Sequence, residues 1–193
     1  MSSALPYHLF ETPLGWIGIG WSARGLTRVQ LPERDRAATE RRLLATLPRA
    51  AADRPAERSA GDLPPAIAEA VAAIRRYASG ETVDFSGIAV DLGSADDFRL
   101  AIYDAARHLG FGETVTYGEL AARAGHAGAA RETGQALGQN PVPIVVPCHR
   151  ILAAGGKIGG FSASGGSATK ERLLELEGVR VGPPPPAQSS FAF

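Results

Sequence analysis

The chain has 193 residues, a single cysteine, and 20 basic side chains balanced by 20 acidic ones. That length allows one large domain or two small ones with a real core, and the 45% apolar share excludes wholesale disorder. One thiol excludes an internal disulfide and a multi-thiolate zinc site, and the neutral balance gives no global basic footprint for nucleic acid.

The opening Met1–Pro6 lacks a charged region followed by an apolar run, so no secretory signal is expected. No stretch reaches membrane-span length, and a reducing cytoplasm is the expected compartment. Tyr7–Phe10, Gly15–Trp21 and Gly25–Gln30 are short apolar runs split by turn residues, which predicts a β-meander. Asp35–Leu47 reads as a helix with Leu43, Leu44 and Leu47 on one face, and Pro48–Pro65 as a surface loop. Helical spacing returns over Pro65–Ser79 through Ile67, Val71, Ile74 and Tyr77, and Gly80–Leu92 contains another extended piece.

From Gly93 the texture becomes helical. Ser94 with Asp97 predicts a capping box before a helix at Phe98–Leu109, and Thr116 with Glu119 a second before Tyr117–Ala124. A helix from Gly128 to Gly138 follows a glycine-containing turn, the layout of a helix-turn-helix. A last helix is predicted at Ser167–Glu177, closed by Gly178. The tail from Val181 to Phe193, with four consecutive prolines, reads as disordered.

Chemistry concentrates in Asn140–Arg150. Pro141, Pro143 and Pro147 forbid a regular helix and stiffen the approach to Cys148. Val142–Val146 is apolar, so this approach is expected to be buried, with a fixed thiol beside an imidazole. A water between Cys148 and His149 would make the histidine a relayed base and raise the thiolate share. A lone cysteine is more often an inert buried hydrophobe, but the Pro-Cys-His-Arg context reverses that preference. His8, His108, His126 and His149 show no ligand spacing, so no metal and no cofactor are expected.

Asn140–Leu152, with Asn-Pro-x-Pro ahead of Pro-Cys-His-Arg, resembles the active-site signature of the O6-alkylguanine-DNA alkyltransferases, also called methylated-DNA–protein-cysteine methyltransferases. The likeness runs from about Phe98 to Gly178, and more loosely across the N-terminal strands. It implies an α+β fold: residues 1–92 as a small mixed α/β domain with a ribonuclease H-like sheet, and 93–180 as a helical, winged-helix-like domain that binds DNA and accepts the alkyl group. It implies repair of O6-alkylguanine by one irreversible transfer to Cys148, and leaves open whether O4-alkylthymine is a further substrate.

The resemblance also distributes roles. His149 would take the Cys148 proton through a water, Glu177 would orient the imidazole, and Asn140 would brace the turn into the Cys148 segment. Tyr117 would assist protonation of the departing guanine, Ser162 would polarise O6, Phe161 would stack on the base, and the carbonyls of Cys148 and Ile151 would read the guanine amino group. Arg131 would replace the flipped base, with Ala130 and Gly134 as small neighbours letting the helix approach the minor groove. The implied partner is double-stranded DNA, met by a monomer in the nucleoid.

Two departures stand out. Phe161 replaces a common tyrosine, and Glu132-Thr133 replaces a small, apolar pair after Arg131. Glu132 weakens DNA binding if it faces the duplex and is harmless if it faces solvent. Residues 96–180 carry nine acidic and nine basic side chains, which predicts modest, salt-sensitive affinity. Three rival readings fit less well: a lesion binder that transfers nothing, disfavoured by Cys148; a cysteine hydrolase, lacking an evident oxyanion hole; and a transcriptional regulator with a second acceptor cysteine, excluded by the cysteine count.

Overall fold

The computed structural model describes residues 6–47 and 55–181. Strands β1 (Tyr7–Thr12), β2 (Gly15–Ser22) and β3 (Gly25–Gln30) form an antiparallel meander in that order. The register pairs Leu9 with Gly18 and Tyr7 with Gly20, so these four residues share one face. Helix α1 (Arg36–Thr46), capped by Asp35 on the Ala38 amide, lies on that face. The glycines are what admit it: a Cβ at Gly18 would stand 2.9 Å from Leu43 Cδ2, and one at Gly20 2.6 Å from Leu47 Cδ2. Leu43 and Leu47 thereby form a small cluster with Tyr7 and Leu9.

The opposite face, with Phe10, Ile17 and Ile19, opens the main core. Helix α2 (Pro65–Ala78) starts with proline at its first position, where no amide hydrogen is needed. It buries Ile67, Val71, Ile74 and Tyr77, the stripe its spacing predicts. Helix α3 (Asp97–Arg107) follows, then strand β4 (Val115–Thr116), α4 (Tyr117–Arg123) and α5 (Ala130–Gly138). A tight 3-10 turn, Cys148–Arg150, leads into β5 (Ile151–Leu152), which pairs in parallel with β4. Helix α6 (Gly166–Leu176) closes the described fold. One apolar cluster runs from Phe10 in β1 through Tyr77, Ile102, Leu120 and Val146 to Leu173, and it includes Cys148. Sheet and helices therefore hold the cysteine segment from both sides.

The described residues form an α+β fold, with a small antiparallel sheet and six α-helices. The Thr116–Glu119 capping box is present in both directions. The first capping expectation needs correction: α3 is capped by Asp96, whose carboxylate accepts the Arg99 amide at 2.8 Å, while Ser94 offers only its carbonyl to the Arg99 guanidinium. A carboxylate at the N-cap position itself outcompetes a hydroxyl two residues upstream. Gly80–Leu92 forms no strand; only Val90 bridges to Leu26, because this segment lies along the meander without a register of its own. Within the expected Pro48–Pro65 loop the described part holds one 3-10 turn, Ala60–Asp62, and a bridge from Glu57 to Tyr7. The rest of that loop, and the tail from residue 182, lie outside the described residues. Among the described residues no helix is long and apolar enough to cross a membrane, and no cluster of metal-ligating side chains occurs.

Candidate active site

The segment from Asn140 to Pro147 is irregular, and its shape is enforced from outside. Ile144, a β-branched residue, sits at φ 75°, a left-handed conformation costing on the order of 1–3 kcal/mol. Neighbouring bonds hold it there. The Val146 amide donates to Val142 O at 2.9 Å, and the Val29 amide of β3 donates to Pro141 O at 2.9 Å. Asn140 ties both ends of the turn: its Oδ1 accepts the Val142 amide at 3.0 Å, and its Nδ2 donates to Val146 O at 2.8 Å and to Cys148 Sγ at 3.2 Å.

Cys148 is 7% exposed, enough to show one side of the sulfur to a cavity. Burial pushes its thiol above the ordinary range, partly offset by the Asn140 hydrogen bond and by the Lys170 ammonium. The resting sulfur is therefore a thiol at neutral pH, and reaction needs a base. His149, beside it in sequence, has no solvent exposure. Burial pulls its imidazole below its usual value despite the Glu177 carboxylate, so it stays neutral. Its Nε2 lies 2.7 Å from Glu177 Oε1, and a carboxylate there fixes the proton on Nε2. Nδ1 is then the free acceptor, and it is buried without a partner.

Glu177 sits at the C-cap of α6, buried among donors. Arg150 Nε and Nη2 reach it at 2.9 Å, Tyr77 Oη donates at 2.9 Å, and the Gly112 amide donates to Oε2 at 2.8 Å. Burial alone would raise its carboxyl, but hydrogen bonds from His149 and Arg150 prevail and hold it at about 2. Arg150 is anchored in turn by Leu109 O at 2.6 Å.

In front of the sulfur is a cavity of about 570 Å³, lined by Tyr117, Gly134, Cys148, Phe161 and Ser162 among others. Capping by Thr116 puts Tyr117 at the first position of α4, and its hydroxyl donates to Gly160 O at 3.3 Å. A Cβ at Gly159 would stand 3.0 Å from the Tyr117 ring, so glycine there leaves the ring its place. The size suits a flat heterocycle with a small substituent.

A methylated-DNA–protein-cysteine methyltransferase of Mycobacterium bovis is 42% identical over 118 residues, which are 61% of this chain and 69% of that protein. The chain belongs to the methylated-DNA–protein-cysteine methyltransferase family. A protein of the same description from Methanothermobacter thermautotrophicus is 40% identical over 61% of this chain and 65% of its own length. The sequence profile of the 6-O-methylguanine DNA methyltransferase DNA binding domain matches residues 97–179. Among solved structures, the O6-methylguanine methyltransferase of Mycobacterium tuberculosis superposes with TM-score 0.68 at 31% identity, covering 90% of this chain and 92% of that one. The Pyrococcus kodakaraensis O6-methylguanine-DNA methyltransferase gives 0.67 at 25% identity, covering 90% and 99%. The family resemblance carried by Asn140–Leu152 is thus borne out.

Against that family background, the fold brings Cys148, Tyr117, Gly134, Phe161 and Ser162 around one cavity, with His149, Glu177 and Asn140 in contact behind the cysteine segment. Ala130 and Arg131 are elsewhere, exposed at the start of α5, with Glu132 exposed beside them and Thr133 buried. Ile151 is fully buried, and its carbonyl already accepts Lys170 Nζ. Sequence reasoning passed over three members of the site: Tyr77, Arg150 and Lys170. Lys170 is completely buried, its ammonium 5.6 Å from the centre of the Tyr117 ring. Its signal was present, since Lys170, Leu173, Leu174 and Glu177 follow the i, i+3, i+4, i+7 spacing of a single helix face. A lysine on an apolar stripe is an anomaly that periodicity alone exposes.

Proposed function

We propose that the protein repairs DNA by moving a methyl or other small alkyl group from O6 of guanine to Cys148, once per molecule. The observation that carries this reading is a buried thiol facing a base-sized cavity, backed by a neutral histidine that a buried carboxylate orients. The thiol proton passes through a water to His149 Nδ1, the developing imidazolium being stabilised by Glu177. The sulfur then attacks the alkyl carbon in line, the C–O6 bond breaks, and its electron pair leaves with guanine. Tyr117 delivers the proton that the guanine ring needs, and the proton held by the imidazole makes the balance good. Ser162 polarises O6, Phe161 stacks on the base, and the Ile151 carbonyl has a second lone pair for the guanine amino group. The thioether product is a poor leaving group, so the protein is consumed.

A base inside the stack is out of reach of a buried thiol, and flipping it costs roughly a few kcal/mol. The exposed start of α5 supports this part of the reading. Arg131 fills the gap left by the base, and Ala130 with the small side of Gly134 lets α5 settle in the minor groove. The structure of a Mycobacterium tuberculosis relative was solved in complex with DNA, which supports duplex DNA as the partner here. In this reading the fold divides into a ribonuclease H-like part over 1–92 and a winged-helix-like part over 93–180, in a monomer that works in the cytoplasm on the nucleoid. Presence of the thiol disfavours a mere lesion binder.

The test is stoichiometry. Titration with duplex carrying tritiated O6-methylguanine should saturate at one methyl per chain, while multiple turnover would overturn the single-use mechanism.

A further inference from the structure

Every side chain given a part in the transfer above lies at or beyond Tyr117. Tyr77 comes from the other half of the chain, on α2, and has no solvent exposure. Its ring meets Phe85 and Phe111 edge to face, with centroids 5.7 and 6.1 Å away, and tilts against the His149 imidazole at 6.2 Å. A phenol gripped on three sides has little room to swing, so its hydroxyl is fixed where it points.

What it points at is the bond between the base and its orienter. The hydroxyl donates to Glu177 Oε1 at 2.9 Å, the same oxygen that takes the His149 Nε2 proton at 2.7 Å, and the phenol oxygen stands 3.2 Å from Nε2 itself. With the Tyr77 proton on the carboxylate, the lone pairs of the phenol oxygen face Nε2–H, which two acceptors then share. Burial, and next the Glu177 charge, push the phenol far above its ordinary range, so it stays a neutral donor at working pH. The other donors do less. Arg150 spans both carboxylate oxygens and the Gly112 amide holds Oε2, but among the described residues only Tyr77 hydrogen-bonds to both members of the pair. Packing alone would ask only for the ring.

We propose that Tyr77 is a positioning residue for the transfer, through which the N-terminal half takes part in the chemistry. It holds Glu177 Oε1 on the imidazole N–H and gives the imidazolium a second acceptor as the thiol proton arrives. The inference rests on the alkyl-transfer reading above. In the step itself the thiol proton passes through water to Nδ1, Nε2 keeps its own proton, and the Tyr77 proton stays on the phenol oxygen throughout.

Tyr77→Phe keeps the ring and removes the hydroxyl. In single-turnover transfer from duplex O6-methylguanine to the full chain, the maximal rate should fall about tenfold, the size of one hydrogen bond to a charged group. The duplex concentration at half-saturation should not change, and the endpoint should stay at one methyl per chain. A packing role would lower the endpoint and leave the rate of the folded fraction alone. An unchanged maximal rate overturns the proposal, as does a loss confined to half-saturation, which would place the hydroxyl's effect in DNA binding. A double-mutant cycle gives the second reading. Once Glu177→Gln has removed the carboxylate, adding Tyr77→Phe should slow transfer by less than about twofold; a further loss of about tenfold would make the hydroxyl independent of the pair and overturn the proposal. If the double variant does not fold, NMR of 15N-histidine-labelled Tyr77→Phe without DNA decides. The His149 Nε2 proton signal, assigned by its loss in His149→Asn, should move from its wild-type position, and a signal left in place overturns the proposal. A wild-type chain that takes no methyl from the duplex would bring down the underlying reading, and this inference with it.

Discussion

His149 Nε2 and Glu177 Oε1 are 2.7 Å apart, and neither side chain has any solvent-accessible surface. The pair joins the turn that carries Cys148 to the C-terminal end of α6, and Arg150 and Tyr77 complete the network around the same carboxylate. A buried carboxylate with this many donors orients the base and also locks two parts of the chain together.

Glu177→Gln separates those two contributions. The amide retains shape but loses the charge that stabilises the imidazolium, so single-turnover transfer should slow by about 100-fold, within the range of general-base contributions. It also leaves Arg150 buried without its partner, which costs about 3–5 kcal/mol of stability. Tyr77→Phe removes one hydrogen bond to the same oxygen and should cost only about 1 kcal/mol. Rapid-quench kinetics and urea denaturation of both variants check the contrast.

Acid sensitivity follows from the same pair. The Glu177 carboxyl lies at about 2 in the folded chain against 4.5 for a free one. Its contribution, on the order of 3 kcal/mol, is complete above about pH 4.5 and is lost as pH falls toward the folded value. His149 acts in the same direction and earlier. Its folded imidazole resists protonation, while the unfolded chain takes up a proton below about pH 6.5. Urea midpoints should therefore fall from about pH 6.5 downward, and the steep portion below pH 4.5 should be absent in Glu177→Gln.

Lys170→Met tests the cation that the Cys148 thiol feels. The substitution removes a buried ammonium that has no carboxylate partner among the described residues but leaves the buried Ile151 carbonyl without its donor, so stability should fall by about 1–3 kcal/mol. Without that charge the thiol rises further, and each unit removes about tenfold of the thiolate at neutral pH. The expected result is transfer slowed about tenfold at pH 7 and recovering as pH is raised. Equal slowing at every pH would reduce Lys170 to packing.

Much of this was legible in the sequence because local rules and tertiary packing agree. The meander, the α2 stripe and the Thr116–Glu119 box follow from alternation, periodicity and capping chemistry, and the Asn140–Arg150 segment is too unusual to mistake. What stayed hidden depends on contacts distant in sequence. Tyr77 reads as one more core aromatic until α2 is seen to deliver its hydroxyl to Glu177, 100 residues away. The Ser94 cap failed because two candidate capping residues lay within three positions, and only backbone geometry chooses between them.

On the proposed reading, DNA affinity depends on the exposed start of α5. Arg131→Ala should weaken binding to lesion-containing duplex and reduce the salt dependence by about one phosphate contact if it also neutralises backbone charge. Glu132→Gln should strengthen binding, by an amount that shrinks as salt rises. Fluorescence anisotropy across a salt series checks both, and an unchanged affinity for Glu132→Gln would place that carboxylate away from the duplex.

The central claim is tested most directly by the intact mass of the protein after mixing with excess duplex containing O6-methylguanine, followed by peptide mapping, with Cys148→Ala as the control. A single added methyl group is expected, on Cys148, and none on the control. Specific binding of the lesion duplex with no change in mass, or a methyl found on any other residue, would contradict it.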